Sequence, residues 1–443
     1  MTIQLPEKVK YIIEELERHG WEAYAVGGCV RDSLLGRNPN DWDITTSAKP
    51  EQVKEIFHRT VDTGIQHGTV TVMLNREGFE VTTYRIDGEY EDNRHPKEVI
   101  FTSDLVEDLK RRDFTINAMA YNPRTGLVDA FNGMEDMRNK CIRCVGNARE
   151  RFCEDALRIL RAVRFGAQLK FAIAEETRQA MKELSGNLSY ISAERIQTEL
   201  LKLLVSEEPQ RFKEAYELGI TGIILPEFDE IMTCTQENIH HCYTVGQHTL
   251  ESLQHIEPDK VLRLALLFHD FGKPKTKTMD EQQTAHFCGH AMESARMAET
   301  IMKRLKFDND TMGKVVKLVE LHDHRPLLKK KSVKKLIVKS GPELFLPLLK
   351  VKYADTMAQS RYRREEKLAY LAELKCIYER VLEEKECISL KELAVNGKDM
   401  IALGVPQGKR MGEILKELFE LVLEEPERNN REELLALVKE RYL

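Results

Sequence analysis

Hydrophobic positions near the N-terminus fall in short runs. Ala23 to Val26 is one such run, ended by Gly27 and Gly28, and a helical segment follows from Arg31 to Leu35. Asp41 to Thr45 reads as another strand. Thr69 to Leu74 and Phe79 to Arg85 read as two more, paired through the turn residues Asn75 to Gly78, which is a hairpin signal. Short strands mixed with helices predict an α/β or α+β domain over residues 1–145. Beyond Arg149 the strand signals stop, and apolar residues recur at helical spacing, with Phe152, Ala156, Ile159 and Val163 on one stripe. The rest of the chain reads as mostly helix. Pro226, Glu257-Pro258 and the stretch Gly404 to Gly412 mark breaks between helical subdomains.

A chain of 443 residues is too long for one ordinary core, so two or more domains are expected. Charged residues at 32% and aromatics at 7% suit a helix-rich soluble protein. The net charge of -6 excludes a uniformly basic nucleic-acid binder, so any RNA contact must use local basic patches. Nine scattered cysteines, with no signal peptide and no apolar run of membrane-spanning length, point to the reducing cytoplasm and to no membrane partner. Cys141 and Cys144 form a single C-x-x-C without a second pair nearby, which reads as packing thiols rather than zinc ligands.

The first chemical constellation is the string GGCVRDSLLGR from Gly27 to Arg37, followed by Asp41 and Asp43. Two glycines after a strand allow close approach to a ligand, and amides at the start of the next helix can bind phosphate oxygens. Arg31 can add a charge-assisted contact to a triphosphate. Alternation along a strand puts Asp41 and Asp43 on one face, where two like charges repel unless a divalent cation lies between them. Two magnesium ions there would activate an attacking 3′-hydroxyl and stabilise the leaving pyrophosphate. Glu80 stands in a neighbouring strand as a third carboxylate. Alone, an Asp-x-Asp reads equally as a solvated turn; the glycine turn ahead of it favours the metal reading.

Further strings follow in order: RRDFTINAMA from Arg111 to Ala120, DAFNG from Asp129 to Gly133, and EDALRILRAVR from Glu154 to Arg164. Together these resemble the successive motifs of class II tRNA nucleotidyltransferases, the family of CCA-adding enzymes and bacterial poly(A) polymerases. The resemblance is close over the first half of the chain and loose beyond it. It implies a catalytic head with a polymerase-β-like sheet, CTP and ATP as substrates, and tRNA, bound at its 3′ acceptor end and elbow, as partner. It places base selection on Glu154, Asp155 and Arg158, nucleotide binding on Gly28, Arg31, Arg161 and Arg164, and a triphosphate contact on Arg112. An aspartate accepting from an amino group and an arginine donating to a ring nitrogen or carbonyl would suit the edge of C or A. On a continuous helix Glu154, Arg158 and Arg161 share a face, so Glu154 would steady Arg158. Asp129 and Gly133 resemble the family's hinge between head and neck and read equally as an Asx-type turn. The polar stretch Asp87 to Val99 resembles the loop used for adding the terminal A.

The middle of the chain holds His248, His269, Asp270, His290, His322 and Asp355. This order, with LALLFHDFGKP from Leu264 to Pro274, resembles the HD phosphohydrolase domain, whose histidines and aspartates bind one or two metals. Such a donor set suits manganese, nickel, iron or magnesium. His240, His241, His286 and His324 compete for the same assignment. The resemblances divide the chain into a head over 1–145, a neck over 146–235, an HD domain over 236–360 and a tRNA-binding tail over 361–443. Lys329, Lys330, Lys331, Lys334 and Lys335 read as a phosphate grip or as a solvated face. NGKDM from Asn396 to Met400 and GVPQGKRMG from Gly404 to Gly412 resemble tRNA-contacting motifs or serve as helix punctuation. Ile414 to Leu443 is an amphipathic end segment.

Four readings of function stand side by side. They are full CCA addition, addition of the terminal A alone or of a poly(A) tail, an HD phosphohydrolase with a degenerate head, and a noncatalytic tRNA binder. Nothing in the sequence fixes an oligomeric state.

Overall fold

Val9, Ile12, Ile13 and Leu16 recur at helical spacing, and α1 (Glu7–Arg18) forms with all four buried. The computed structural model describes residues 2–87 and 99–443. The chain folds as two compact units, Met1–Pro226 and Glu227–Leu443.

The first unit is built on a seven-stranded mixed sheet. Its strands are β1 (Ala23–Val26), β2 (Ile44–Thr46), β3 (Thr60–Gly64), β4 (Thr69–Leu74), β5 (Glu77–Thr83), β8 (Ala120–Asn122) and β9 (Gly126–Val128), in the order β3-β4-β5-β2-β1-β8-β9. A separate short ladder joins β6 (Arg85–Asp87) to β7 (Val99–Phe101). Most of the stretch Asp87 to Val99, tied by resemblance to terminal A addition, lies outside the described residues. β2 pairs parallel with β5, and every other neighbour in the large sheet is antiparallel.

The strand expected from Asp41 to Thr45 begins only at Ile44. Ile44, Thr45 and Thr46 sit centrally with all three side chains buried, and two carboxylates cannot be placed there without a large desolvation cost. Asp41 and Asp43 therefore precede the strand, although the Asp43 carbonyl still accepts from Val26 N at 3.0 Å. The β4–β5 turn is shorter than Asn75 to Gly78: only Asn75 and Arg76 have left-handed φ, 51° and 71°, and Leu74 already pairs with Glu77.

Helices α2 (Gly28–Leu34), α3 (Pro50–Ile56), α4 (Leu105–Lys110) and α5 (Gly133–Arg138) accompany the sheet. Val26, Tyr84, Leu109, Ala118, Ala120 and Val145 form a core cluster between them. Asp129 caps α5, accepting from Gly133 N at 2.7 Å and Met134 N at 2.9 Å. Gly133 is required there because a Cβ would stand 2.4 Å from the Thr115 carbonyl oxygen.

The remaining helices of the unit include α6 (Ala148–Glu154), α7 (Leu157–Leu169), α8 (Glu175–Leu184) and α9 (Ala193–Leu204). Phe152, Ala156, Ile159 and Val163 are all buried, but not on one helix. The chain breaks at Asp155, which has φ −143° and ψ 102°. Its carboxylate accepts from Leu157 N at 3.1 Å, a local bond that competes with helix continuation.

The second unit is helical apart from a short hairpin of Thr278–Met279 with Ala285–His286. The end segment forms its own apolar cluster, with Met400, Ile414, Leu418, Val422, Leu434 and Val438 buried. The lysine run is held internally. Lys330 and Lys334 pair with Glu386 at 2.8 and 2.7 Å, and Lys331 and Lys335 reach Glu424 at 2.7 and 3.4 Å. Asn396 and Asp399 make a capping box that opens the helix Gly397–Ala402. All nine cysteines are free, and among the described residues no helix is long and apolar enough to cross a membrane.

Candidate active site

Gly27 leaves β1 with φ 81° and starts α2, a conformation that favours glycine. Space adds a second requirement, since a Cβ here would lie 3.1 Å from Arg112 Nη1. Arg112 is drawn to this turn by Asp108, which is fully buried. Arg112 Nη2 reaches Asp108 Oδ2 at 3.3 Å, and Arg111 Nη2 reaches Oδ1 at 2.8 Å. Burial opposes ionisation of Asp108, but Arg112 and Arg111 hold its carboxyl below the usual range.

Asp41, Asp43 and Glu80 face one cleft of about 670 Å³. Burial raises the Asp43 pKa and Asp41 raises it further, with Arg112 opposing. Glu80 is raised by burial, then by Asp43 and Asp41. Three carboxylates in one cleft, two of them resisting ionisation, are a donor set suited to divalent cations.

Asp43 also lines a second cavity, of about 420 Å³, with Gly27, Gly28, Arg31, Arg112, Asp155, Arg158, Arg161 and Arg164. The structure thus gathers Asp43 and the nucleotide-binding residues expected from sequence around one space, except Glu154, while Asp41 and Glu80 line the carboxylate cleft. Glu154 acts behind the wall. Its Oε2 accepts from Arg158 Nη1 at 2.5 Å, even though the helix break separates the two residues. Arg158 Nη2 also donates to the Arg111 carbonyl at 2.8 Å.

A hydrogen-bonded chain crosses the floor of the cavity. Arg31 Nη1 donates to Asn117 Oδ1 at 2.5 Å, Asn117 Nδ2 donates to Asp113 Oδ1 at 3.0 Å, and Arg161 Nε donates to Asp113 Oδ2 at 2.8 Å. Burial works against the Asp113 charge, yet Arg161 and Asn117 hold its pKa at about 2. Arg164 Nε bonds Glu199 at 2.5 Å. The Phe165 ring carries the guanidinium carbons of Arg164, Arg31 and Arg161 at 3.9, 5.0 and 5.3 Å from its centroid. Arg195 grips both oxygens of Asp155. Sequence reasoning passed over Asp108, Asp113, Asn117, Phe165, Arg195 and Glu199. Asp113 and Asn117 stood inside the quoted RRDFTINAMA string and could have been found there.

The second unit gathers His248, His269, Asp270, His290, His322 and Asp355 into one cluster. His269, His290 and His322 each donate from Nδ1 to the carbonyl three residues earlier: Leu266 at 2.7 Å, Phe287 at 2.8 Å and Val319 at 2.7 Å. A carbonyl can only accept, so Nδ1 carries a proton in each ring and Nε2 is the nitrogen that faces the cluster. Asp270 lies at the centre. Its Oδ1 is 3.5 Å from His290 Nε2 and 3.7 Å from His322 Nε2, while its Oδ2 is 3.2 Å from His269 Nε2 and 3.7 Å from His248 Nε2. Asp355 Oδ1 is 2.9 Å from His248 Nε2. The ligand atoms of His248, His269 and Asp270 lie within 4.8 Å of one another, as do those of Asp270, His290 and His322. Among the described residues, His248 Nδ1 is buried without a hydrogen-bond partner. Lys273 Nζ is 2.7 Å from Asp270 Oδ2. Against the effect of burial, His269 and Lys273 hold Asp270 well below the carboxylate range.

The other histidines stand outside these two donor groups. His286 pairs with Asp280 at 2.8 Å. The His241 ring centroid is 5.6 Å from that of His248, and burial pushes its pKa down to about 3. His240 contacts Lys367 at 3.3 Å, and burial lowers the His324 pKa.

Three known families match successive parts of the chain. Residues 23–143 match the Poly A polymerase head domain, residues 170–232 match "Probable RNA and SrmB- binding site of polymerase A", and residues 276–438 match tRNA nucleotidyltransferase domain 2. The CCA-adding enzyme of Lactobacillus delbrueckii subsp. bulgaricus is 51% identical over 211 residues, 47% of this chain, and that match spans about half of the relative's length, 53%. The CCA-adding enzyme of Levilactobacillus brevis is 34% identical over 432 residues, covering 98% of this chain and 97% of the relative. The crystal structure of the Bacillus stearothermophilus CCA-adding enzyme in complex with CTP superposes with a TM-score of 0.71 at 29% identity, covering 99% of this chain and 98% of that one. With the head motifs gathered around one cavity and a relative matched from end to end, this chain belongs to the family of CCA-adding enzymes.

Proposed function

We propose that this protein is a template-independent tRNA nucleotidyltransferase that builds the CCA end of tRNA from CTP and ATP in the cytoplasm. The observation that carries this reading is the single cavity in which Gly27, Asp43, Arg112, Asp155 and Arg158 meet.

The α2 N-terminus at Gly28, with Arg31 and Arg112, receives the triphosphate. Asp155 accepts from the exocyclic amino group of C or A while Arg158 donates to the neighbouring ring position. U and G present a carbonyl acceptor instead of that amino group on the corresponding edge and set it against the Asp155 carboxylate. Glu154 fixes Arg158, and the Asn117–Asp113 link ties the triphosphate arm at Arg31 to Arg161 on α7. Magnesium ions held by Asp41 and Asp43, with Glu80 beside them, would supply activation of the tRNA 3′-hydroxyl and neutralisation of the leaving pyrophosphate.

A gel assay with magnesium, CTP and ATP on tRNA transcripts ending at the discriminator base, at C and at CC tests the reading. Growth of all three to CCA supports it. Extension of only the CC-ended transcript, by one A, replaces it with terminal A addition, and runs of A on any RNA replace it with poly(A) synthesis.

A second activity is favoured by the convergence of four imidazole Nε2 atoms on Asp270. His248, His269, Asp270 and Asp355 on one side, and Asp270, His290 and His322 on the other, would hold one or two ions of manganese, nickel, iron or magnesium. Such ions would supply an acidified water for hydrolysing phosphoesters. Metal analysis of the purified chain and of a His269→Ala variant tests this: no bound ion in either removes the reading.

A further inference from the structure

The histidine centre opens onto a cavity of about 370 Å³ whose lining includes Asp270 and His290 together with His240, Arg325 and Lys367. An adjoining space of about 320 Å³ repeats His240, Arg325 and Lys367 and adds Arg363. Together they offer room for a ligand of nucleotide size.

The cationic side of this space has little counter-charge. Lys367 is half-buried, and its Nζ donates to Gln359 Oε1 at 2.5 Å and lies 3.3 Å from His240 Nδ1. Both partners are neutral, and among the described residues no carboxylate pairs with Lys367. Among the described residues, the acid that Arg325 reaches is Asp323, at 3.8 Å, with the arginine side chain 63% exposed. Arg363 is the better compensated member, paired with Glu366 at 2.5 Å. His240 registers the crowding: burial first, then Lys367, Arg325 and Arg363, lower its affinity for a proton. Of the other acids lining this space, Asp270 and Asp355 are already engaged by the histidines, and Glu366 is taken by Arg363. A half-buried ammonium spent on neutral partners is costly unless an anion completes it.

We propose that Lys367 and Arg325 form a phosphate-recognition subsite, which receives the dianionic end of a phosphomonoester beside the histidine centre. A terminal phosphate carries close to two charges at neutral pH and one organic substituent. It suits two cations lining the same space, Lys367 and Arg325. A phosphodiester carries one charge and needs room for a substituent on each side. The hydrolytic use of this subsite rests on the metal reading above, whereas its affinity for phosphate does not.

Calorimetric titration of inorganic phosphate into the full chain, with bound metal measured in the same preparations, tests the proposal. Lys367→Met and Arg325→Ala are each expected to weaken phosphate binding at least about tenfold, and together to abolish it. Metal content and melting temperature should stay unchanged, and Lys367→Gln serves as a second variant should Lys367→Met fold poorly. Equal affinity in the wild type and the double variant overturns the subsite, even if metal is bound. Lys367-dependent phosphate binding by a chain that carries no metal sustains the subsite and removes only the hydrolase reading. Competition by p-nitrophenyl phosphate must exceed that by bis(p-nitrophenyl) phosphate; the reverse order overturns the monoester assignment.

Discussion

Arg195 holds Asp155 through both terminal nitrogens, Nη2 to Oδ2 at 2.7 Å and Nη1 to Oδ1 at 3.2 Å. A planar fork fixes the plane of the carboxylate as well as its charge. Because Asp155 sits on the non-helical link between α6 and α7, its own backbone gives it little lateral support. Arg195→Ala is therefore expected to lower kcat/KM for CTP and ATP about tenfold, or about 1.4 kcal/mol, and to raise relative use of UTP. Arg195→Lys should recover charge but not selectivity. Steady-state kinetics with all four nucleotides decide this, and unchanged discrimination in both variants would refute it.

Phe165 presents one ring to three guanidinium groups. Phe165→Leu keeps an apolar side chain and deletes the π face, so Arg31, Arg161 and Arg164 lose a shared platform. The expected result is a rise in nucleotide KM of about threefold to tenfold with kcat nearly preserved. A fall in kcat at constant KM would show that the ring serves chemistry or folding rather than arginine placement.

Asp113 gives an acid-stability signature. Its folded pKa of about 2 lies below the ordinary 3.8, so the folded chain releases this proton more readily than the unfolded chain. The corresponding stability is fully present above pH 3.8 and disappears as pH falls through about 2. Asp113→Asn should remove about 2 kcal/mol near neutrality, since Arg161 loses a buried partner while remaining partly solvated. It should also flatten the pH dependence of unfolding between about pH 4 and pH 2, as read by denaturant titration.

Asp43 has the opposite sign. Burial and Asp41 raise its pKa, so the folded chain keeps the proton longer than the unfolded chain. Stability declines as pH rises from the ordinary carboxylate range through the raised value. Without divalent ions at neutral pH, Asp43→Asn should melt at least about 2 °C higher than the wild type. Added magnesium should stabilise the wild type and not the variant, and the variant should lose about a thousandfold or more in nucleotide addition. A magnesium-induced shift of equal size in both would refute the metal role of Asp43.

The head was legible where its residues stand in contiguous strings. Gly27, Gly28, Arg112, Asp155 and Arg158 announced themselves by neighbours close in sequence, and the cavity joins them. The supporting residues were hidden for separate reasons. Asp108 sits among the charges of a short helix and looks solvated, yet it is fully buried because Arg111 and Arg112 turn back onto it. Arg195 and Glu199 lie on α9, far along the chain from Asp155 and Arg164, and no local pattern encodes such pairings. The break at Asp155 escaped notice because the apolar period runs through it undisturbed. The lysines near Lys331 offered two readings, and distant Glu386 and Glu424 engage them through contacts only the folded chain reveals.

Among the described residues, the nucleotide cavity takes its lining from Gly27 to Arg195 and the histidine centre from His248 to Asp355, so neither draws a side chain from the other's unit. That partition lets each site change without altering the lining of the other. Substitutions at the histidines change none of the side chains lining the cavity of the first unit, and substitutions in that cavity leave the histidine cluster untouched.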